Sequence, residues 1–300
     1  MRDLTDNVAR KRVAARSRYP NENPDIALMR FEYFRDNGWE LDIARPVDIA
    51  SKLHWLKAFY RDERYPVMAD KLAARDIVRQ AAGEAYLTEL HWSGDRLPGA
   101  PPAWLPPRFM LKATHGWNMN ATVELDHADW SELRRSTDAW LAVRHDLRHG
   151  EWAYSRVTPR LLAEELLEPV DGELLDYKLY CFHGEPAFFR VDAVRKTGRV
   201  QRHCDLRWDP LPFTIRQYPR LPLDALCQPP NWDEMIWLAR RLAADVPFVR
   251  VDLYNVDGRI VFGELTLYPQ GGNLRFDPYE YSVWAGGLLT LPQAGAVGRP

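Results

Sequence analysis

Residues 248–273 read FVRVDLYNVDGRIVFGELTLYPQGGN, and this stretch decides how the rest of the chain is read. Two apolar, β-rich runs, Val249 to Val256 and Arg259 to Leu267, flank Asp257-Gly258, a pair that favours a tight two-residue turn. The stretch therefore predicts a β-hairpin. Alternation along a strand puts Arg250, Asp252 and Tyr254 on one face of the first strand, and Glu264 and Thr266 on one face of the second. If those faces coincide, an arginine and two carboxylates meet on an otherwise apolar sheet, where bare charge is costly unless paired or bound to a cation. A hard ion such as Mg2+, which takes one or two protein carboxylates plus substrate phosphates, would relieve that cost. A surface hairpin closed by a salt bridge fits the same residues equally well.

Working outward, 300 residues are enough for one large domain or two modest ones with a real core. Hydrophobic and charged contents of 46% and 27% are those of an ordinary soluble globule, and a net charge of -2 gives no reason to expect a nucleic-acid or membrane partner. No apolar run approaches the roughly 20 residues that span a bilayer, and the basic N-terminus lacks the apolar core of a signal peptide. A cytoplasmic location is expected. Cys181, Cys204 and Cys227 show no metal-ligand spacing and read as reduced structural thiols. The 12 tryptophans are scattered, which argues against a repeat or a base-stacking platform.

From the N-terminus, residues 1 to about 24 suggest an arm or first helix and then a loop. Apolar residues at helical intervals predict a helix over Pro46 to Arg61, and Asp70 reads as the N-cap of another, Lys71 to Ala82, stopped by Gly83. A Pro-rich loop, Leu97 to Pro107, feeds a strand over Arg108 to Ala113. That strand carries Lys112 into the turn His115-Gly116-Trp117-Asn118-Met119-Asn120, followed by strand-like Ala121 to Leu125. A lysine closing a strand before a glycine turn suits a phosphate, although a plain hairpin accounts for it too. Asp129 to Leu147 reads as an amphipathic helix, and Arg160 to Pro169 as a short apolar strand running into Glu164 and Glu165. Carboxylates there need a donor, and the exocyclic amine of adenine is one that would suit them. Asp176 to Phe182, His183-Gly184 and Glu185 to Val194 predict a second hairpin bearing Lys178, Arg190 and Arg195; Lys178 also reads as a protective edge lysine. Arg195 to Leu226 has no clear pattern. Asn231 to Ala244 predicts a helix capped by Asn231, and residues 295–300 a frayed end.

Taken in order, KLHWLKAFYRDE, Asp70-Lys71, RFMLKATHG, LLAEELLE, DYKLYCFHGEPAFFRVDAVR, WDPLPFT and FVRVDLYNVDGRIVFGELTLYP resemble the TupA-like branch of the ATP-grasp superfamily, named for teichuronopeptide biosynthesis. The likeness runs from about Lys52 to Pro269. It implies an α+β fold in which two lobes with antiparallel sheets clamp a nucleotide. The expected division is an N-terminal helical, substrate-side region over 1–70, an ATP-grasp domain over 71–292 with lobes at about 105–165 and 170–292, and a tail over 293–300. By this resemblance Asp252 and Glu264 hold Mg2+ between the ATP phosphates and Arg250 is the catalytic arginine. Lys112, Lys71 and Lys178 contact the phosphates, and Glu164, Glu165 and Leu167 take the adenine. Glu168 or Glu173 takes the ribose.

Two departures stand out. Thr266 occupies a position where many members carry a metal-binding Asn, and the phosphate turn has a single glycine, Gly116, so that His115 or Asn118 would supply donors. The implied reaction is ATP-dependent ligation of a carboxylate to an amine through an acyl phosphate, with Arg190 or Arg195 assisting Arg250. The carboxylate would belong to a surface polysaccharide or its precursor, and the amine to an amino acid. A phosphotransferase acting on a sugar hydroxyl, a glycosyltransferase and a catalytically silent nucleotide-binding partner are the competing readings.

Overall fold

The computed structural model describes residues 2–169, 173–195, 198–215, 219–222 and 228–293; the side chains of 2–6, 194 and 195 fall outside that description. Helices α1 (Arg2–Arg18), α2 (Pro24–Asn37), α3 (Ile49–Phe59), α4 (Tyr65–Ala69) and α5 (Ala74–Ala82) come first. Strands β1 (Leu90–Gly94), β2 (Arg108–Ala113) and β3 (Asn120–Glu124), helices α6 (Trp130–Leu141) and α7 (His145–His149), and β4 (Leu161–Glu164) follow. Next are β5 (Asp176–Phe182), β6 (Glu185–Arg195), β7 (Gly198–Asp205), β8 (Thr214–Ile215), α8 (Trp232–Ala243), β9 (Phe248–Val256), β10 (Arg259–Thr266), β11 (Phe276–Asp277) and α9 (Glu280–Leu288).

These strands form a four-stranded sheet, β1-β4-β2-β3, and a five-stranded sheet, β10-β9-β5-β6-β7, both antiparallel, with β8 and β11 as a separate pair. The larger sheet is two-faced because its side chains alternate. Leu179, Phe189, Val191, Val251 and Leu253 are buried among the apolar side of α8, where the Trp232 and Phe189 rings lie 4.5 Å apart. Each such side chain taken fully out of water contributes about 1.5–3 kcal/mol. The opposite face carries the charges. The smaller sheet has its own core of Phe109, Leu111, Leu161 and Ala163, against which Leu133 and Trp140 of α6 pack.

The 248–273 hairpin forms as the sequence indicates, with Asp257 and Gly258 at positive φ in its turn. Asp70 caps the turn before α5 by accepting from the amides of Leu72 and Ala73, and Gly83 ends the helix at φ 96°.

Three readings are corrected. The helix expected over Asp129 to Leu147 is two, α6 and α7, because Arg144 leaves helical geometry at φ −101°, ψ 89°. The stretch read as patternless contains β7, an edge strand whose Arg, Gln and His residues hide the alternation. Asn231 precedes α8 without capping it: its side chain donates to the Gly258 carbonyl at 2.9 Å and accepts from Asn255 at 2.7 Å, tying α8 to the hairpin turn. The first helix and the loop after it form as read, and α2 follows at once, capped by Asn23 and closed by Gly38 at φ 86°. Cys181 and Cys204 are buried free thiols, whereas Cys227 and the tail from 294 lie outside the described residues. Among the described residues no helix is long and apolar enough to cross a membrane.

Candidate active site

The charged face of the large sheet owes Glu264 and Thr266 to one glycine. A two-residue turn at Asp257-Gly258 pairs Val256 with Arg259 and, continued regularly, would set Glu264 opposite Val251, on the apolar face. A β-bulge at Gly263 inserts one residue, so Glu264 pairs with Asp252 and Thr266 with Arg250. A Cβ on Gly263 would meet Tyr254 Cε2 at 3.0 Å and the Asp252 carbonyl oxygen at 3.1 Å, which is why the bulge is built on glycine.

Across the neighbouring strands the register continues as Asp252, Lys178, Arg190 and His203. Asp252 is the hub. Arg250 donates to both its oxygens, at 2.6 and 2.7 Å, and Lys178 bridges it at 2.6 Å to Asp176 at 2.5 Å. Thr266 accepts from Arg250 at 2.9 Å and donates to Glu264 at 3.1 Å, so its hydroxyl is committed to aligning those two groups. Glu264 lies 3.6 Å from Arg250 and 3.5 Å from Lys71, with 34% of its side chain exposed. Burial alone would raise its carboxyl, but Lys71, Arg250 and Lys178 outweigh that and hold it at about 2. Burial pushes the Asp176 carboxyl up in spite of Lys178.

The smaller sheet forms the facing wall. Lys71 follows Asp70 in the turn before α5 and donates to the Gly116 carbonyl, while its backbone N–H donates to the Thr114 carbonyl at 3.0 Å. Lys112 lies 2.5 Å from Glu164. Between the walls is a cleft of about 340 Å³ lined by Lys71, Lys112, Lys178, Arg190, Arg199 and Arg250 against the carboxylates Asp176, Asp252 and Glu264. Asn118, at φ 56°, lines it as well. Six cationic side chains facing three carboxylates leave a surplus suited to a polyanion. The geometry therefore brings together Lys71, Lys112, Lys178, Arg190, Arg250, Asp252 and Glu264.

Other expected residues lie elsewhere. His115 is buried and packs on His145, whose ring sits where a side chain on Gly116 would go, so it offers the cleft no donor. The Glu164 carboxylate, expected at adenine, is taken up by Lys112, by Thr88 at 2.6 Å and by Arg75 at 3.2 Å. Glu165 pairs with Arg259 at 2.6 Å, and Glu168 with Arg108 at 2.8 Å. Glu173 and Leu167 stand on the connection between the two sheets and do not line the cleft, and the Arg195 side chain lies outside the described residues. The sequence reading passed over Asp176 and Arg199. Asp176 was legible as the residue alternate to Lys178 on the same strand face; Arg199 sits in the stretch that showed no pattern.

The TupA-like ATP-grasp family model matches residues 51–290. The chain belongs to that family. Membership places it among ATP-grasp enzymes and agrees with the α+β architecture of two antiparallel sheets about a cleft. The D-alanine–D-alanine ligase of Helicobacter pylori is 12% identical, with 82% of this chain and 70% of that one covered at a TM-score of 0.43. The ATP-complexed D-alanine–D-alanine ligase of Bacillus anthracis is 13% identical, covering 67% and 54% at 0.34. The ATP-grasp ligase PsnB, solved with minimal precursor, Mg and ADP, is 12% identical, covering 78% and 60% at 0.38. The chain thus spans about half the length of the Bacillus anthracis ligase. No curated protein matches.

Proposed function

We propose that the protein is an ATP-dependent carboxylate–amine ligase, and that Asp252 and Glu264 hold Mg2+ against the ATP phosphates. The observation that carries this reading is the bulge-aligned pair of acids facing a cation-rich wall across one cleft. The donor set suits the ion: two carboxylates at paired positions are the hard oxygen ligands Mg2+ takes when phosphates and water complete its shell, with Asp252 exchanging a contact to Arg250 or Lys178 for the ion. Among the described residues no group of three His, Cys, Asp or Glu forms a closed metal cage. Bound there, Mg2+ would offset charge on the transferring phosphoryl group.

The chain's own residues do the rest. Lys71, Lys112 and Lys178 neutralise phosphate charge, and Asn118 with the turn amides adds donors. Arg250, clamped by Asp252 and Thr266, is fixed for the oxygens of the substrate carboxylate. A carboxylate oxygen attacks the γ-phosphorus and ADP leaves; the amine then attacks the acyl carbon and phosphate leaves. Leu167 and its neighbours between the sheets are the proposed adenine contacts, and residues 1–70 the proposed substrate side. The carboxylate is taken to be a sugar acid of a polysaccharide or its precursor. The test is a screen of purified protein with ATP, Mg2+ and a matrix of sugar acids and amino acids: ADP and phosphate released only when both partners are present supports ligation. Phosphate retained on a sugar would mark a phosphotransferase instead.

A further inference from the structure

The cleft does not end at Arg250. Lys71, Arg250 and Glu264 also border a second compartment of about 370 Å³, walled by Met68 and Ala69, by Tyr154, Leu265 and Tyr268, and by Gly271. Glu151, His149 and Arg199 line it as well. Glu151 is 5% exposed, and among the described residues nothing hydrogen-bonds to its carboxylate. Burial pushes that carboxyl up although Lys57 of α3 and His149 of α7 oppose the shift; Glu32 of α2 adds to it and Arg148 draws it back. A buried carboxylate that faces a cavity and accepts no hydrogen bond is open to a cationic donor entering that cavity.

His149 is held by Nδ1, 2.8 Å from a Glu32 oxygen. Glu32 is fully buried. His149, then Lys57 and Lys11, hold its carboxyl at about 2 against the burial that would raise it, so it is an ionised acceptor. Nδ1 must therefore carry the proton, and the nitrogen left for a ligand is Nε2. The ring is pinned on its other sides by Gly271, where a Cβ would come within 2.7 Å, and by Trp117, stacked at 6.3 Å. The Gly271 peptide is in turn fixed by Lys57, which donates to its carbonyl at 2.5 Å.

We propose that this compartment receives the amine co-substrate as its ammonium form, paired with Glu151, and that His149 takes the proton that must leave before the nitrogen can attack. This rests on the ligase reading. The step balances: the ammonium gives one proton to His149 Nε2, the freed lone pair forms the C–N bond, the C–O bond to phosphate breaks, and the second proton passes from the nitrogen to the departing phosphate as the amide forms. Glu32 is a positioning residue that fixes the tautomer.

The experiment compares wild-type enzyme with Glu151→Gln and His149→Gln, using ATP, Mg2+ and a panel of sugar acids. Each reaction is offered either hydroxylamine, which is uncharged at neutral pH, or a cationic amine from a panel of amino acids and ethanolamine. The expected result is that the ratio of amide to hydroxamate falls roughly 100-fold in His149→Gln, and that the amine KM rises in Glu151→Gln. An unchanged ratio in both variants overturns the proposal while leaving the ligase reading intact. No hydroxamate from any acid with wild-type enzyme overturns the ligase reading itself, and this proposal with it. Independently of turnover, nitrogen NMR of the wild-type protein is expected to show His149 protonated on Nδ1, with a resonance shift on adding ethanolammonium. An Nε2-protonated ring, or no shift, contradicts it.

Discussion

Each sheet carries a glutamate beside a lysine of the cleft, Glu164 beside Lys112 and Glu264 beside Lys71, and the two are built to opposite ends. On the four-stranded sheet Glu164 keeps 9% side-chain exposure and accepts from Lys112, Thr88 and Arg75 at once. On the five-stranded sheet Glu264 keeps 34%, lies 3.5 and 3.6 Å from its cations, and has only the Thr266 hydroxyl within hydrogen-bond distance. A saturated, buried carboxylate holds its surroundings together; one ringed by cations at a distance and open to a cleft is ready to exchange them for a ligand. The family likeness names both as functional. The physics separates them.

The comparison breaks first at Gly263. Gly263→Val sets a branched side chain against Tyr254 and the Asp252 carbonyl, where the bulge leaves no room for one, so we expect the pairing of Glu264 with Asp252 and turnover with it to be lost, read as ADP release, with circular dichroism confirming the remaining sheet. Glu264→Gln is the next largest effect: a fall of roughly 100- to 1000-fold in kcat, with a loss of Tm smaller than that of Glu164→Gln because water reaches its cations from the cleft. Glu164→Gln should do the reverse. It leaves Arg75 and Lys112 short of a counter-charge in a buried site, and we expect a loss of ~3–5 kcal/mol in denaturant unfolding, with kcat of the folded fraction much less affected. If both variants lose activity and stability alike, the distinction between the two carboxylates fails.

A smaller effect comes from Glu32, saturated like Glu164. Its folded value, about 2, lies below the ordinary 4.5, so its stabilisation is present above about pH 4.5 and drains away as pH falls toward 2. Acid unfolding of Glu32→Gln should therefore show a flatter dependence across that window than wild type. Equal slopes would mean that the Glu32–His149 contact does not form in solution.

How much was legible follows from the same physics. The hairpin could be read because Asp257-Gly258 fixes its turn and both strands alternate cleanly. The Lys112 strand could be read because Leu97 to Pro107 admits no regular structure before it. What decides the site, the bulge at Gly263, could not: a lone glycine in a strand signals a bulge or a close approach without saying where the register slips. Without that slip the expected meeting of Asp252 and Glu264 would not occur. The α9 helix was hidden by Gly286 and Gly287; a Cβ on Gly286 would come within 2.2 Å of the Val47 carbonyl oxygen, so close packing on the segment before α3 requires it. His149 lay just past the end of what read as a solvated helix, with Glu151 two residues on, and their meaning depends on Glu32, more than a hundred residues earlier. Periodicity carries no information about such a contact.

The central claim is that the two cross-strand acids grip a divalent ion against the phosphates of a nucleotide. Calorimetric titration of ATP into wild type and Glu264→Gln, each with Mg2+ and with EDTA, tests it most directly. We expect wild type to bind ATP more tightly with Mg2+ than without, and the variant to lose that difference while still binding. Mg2+-dependence of the same size in both proteins would contradict it.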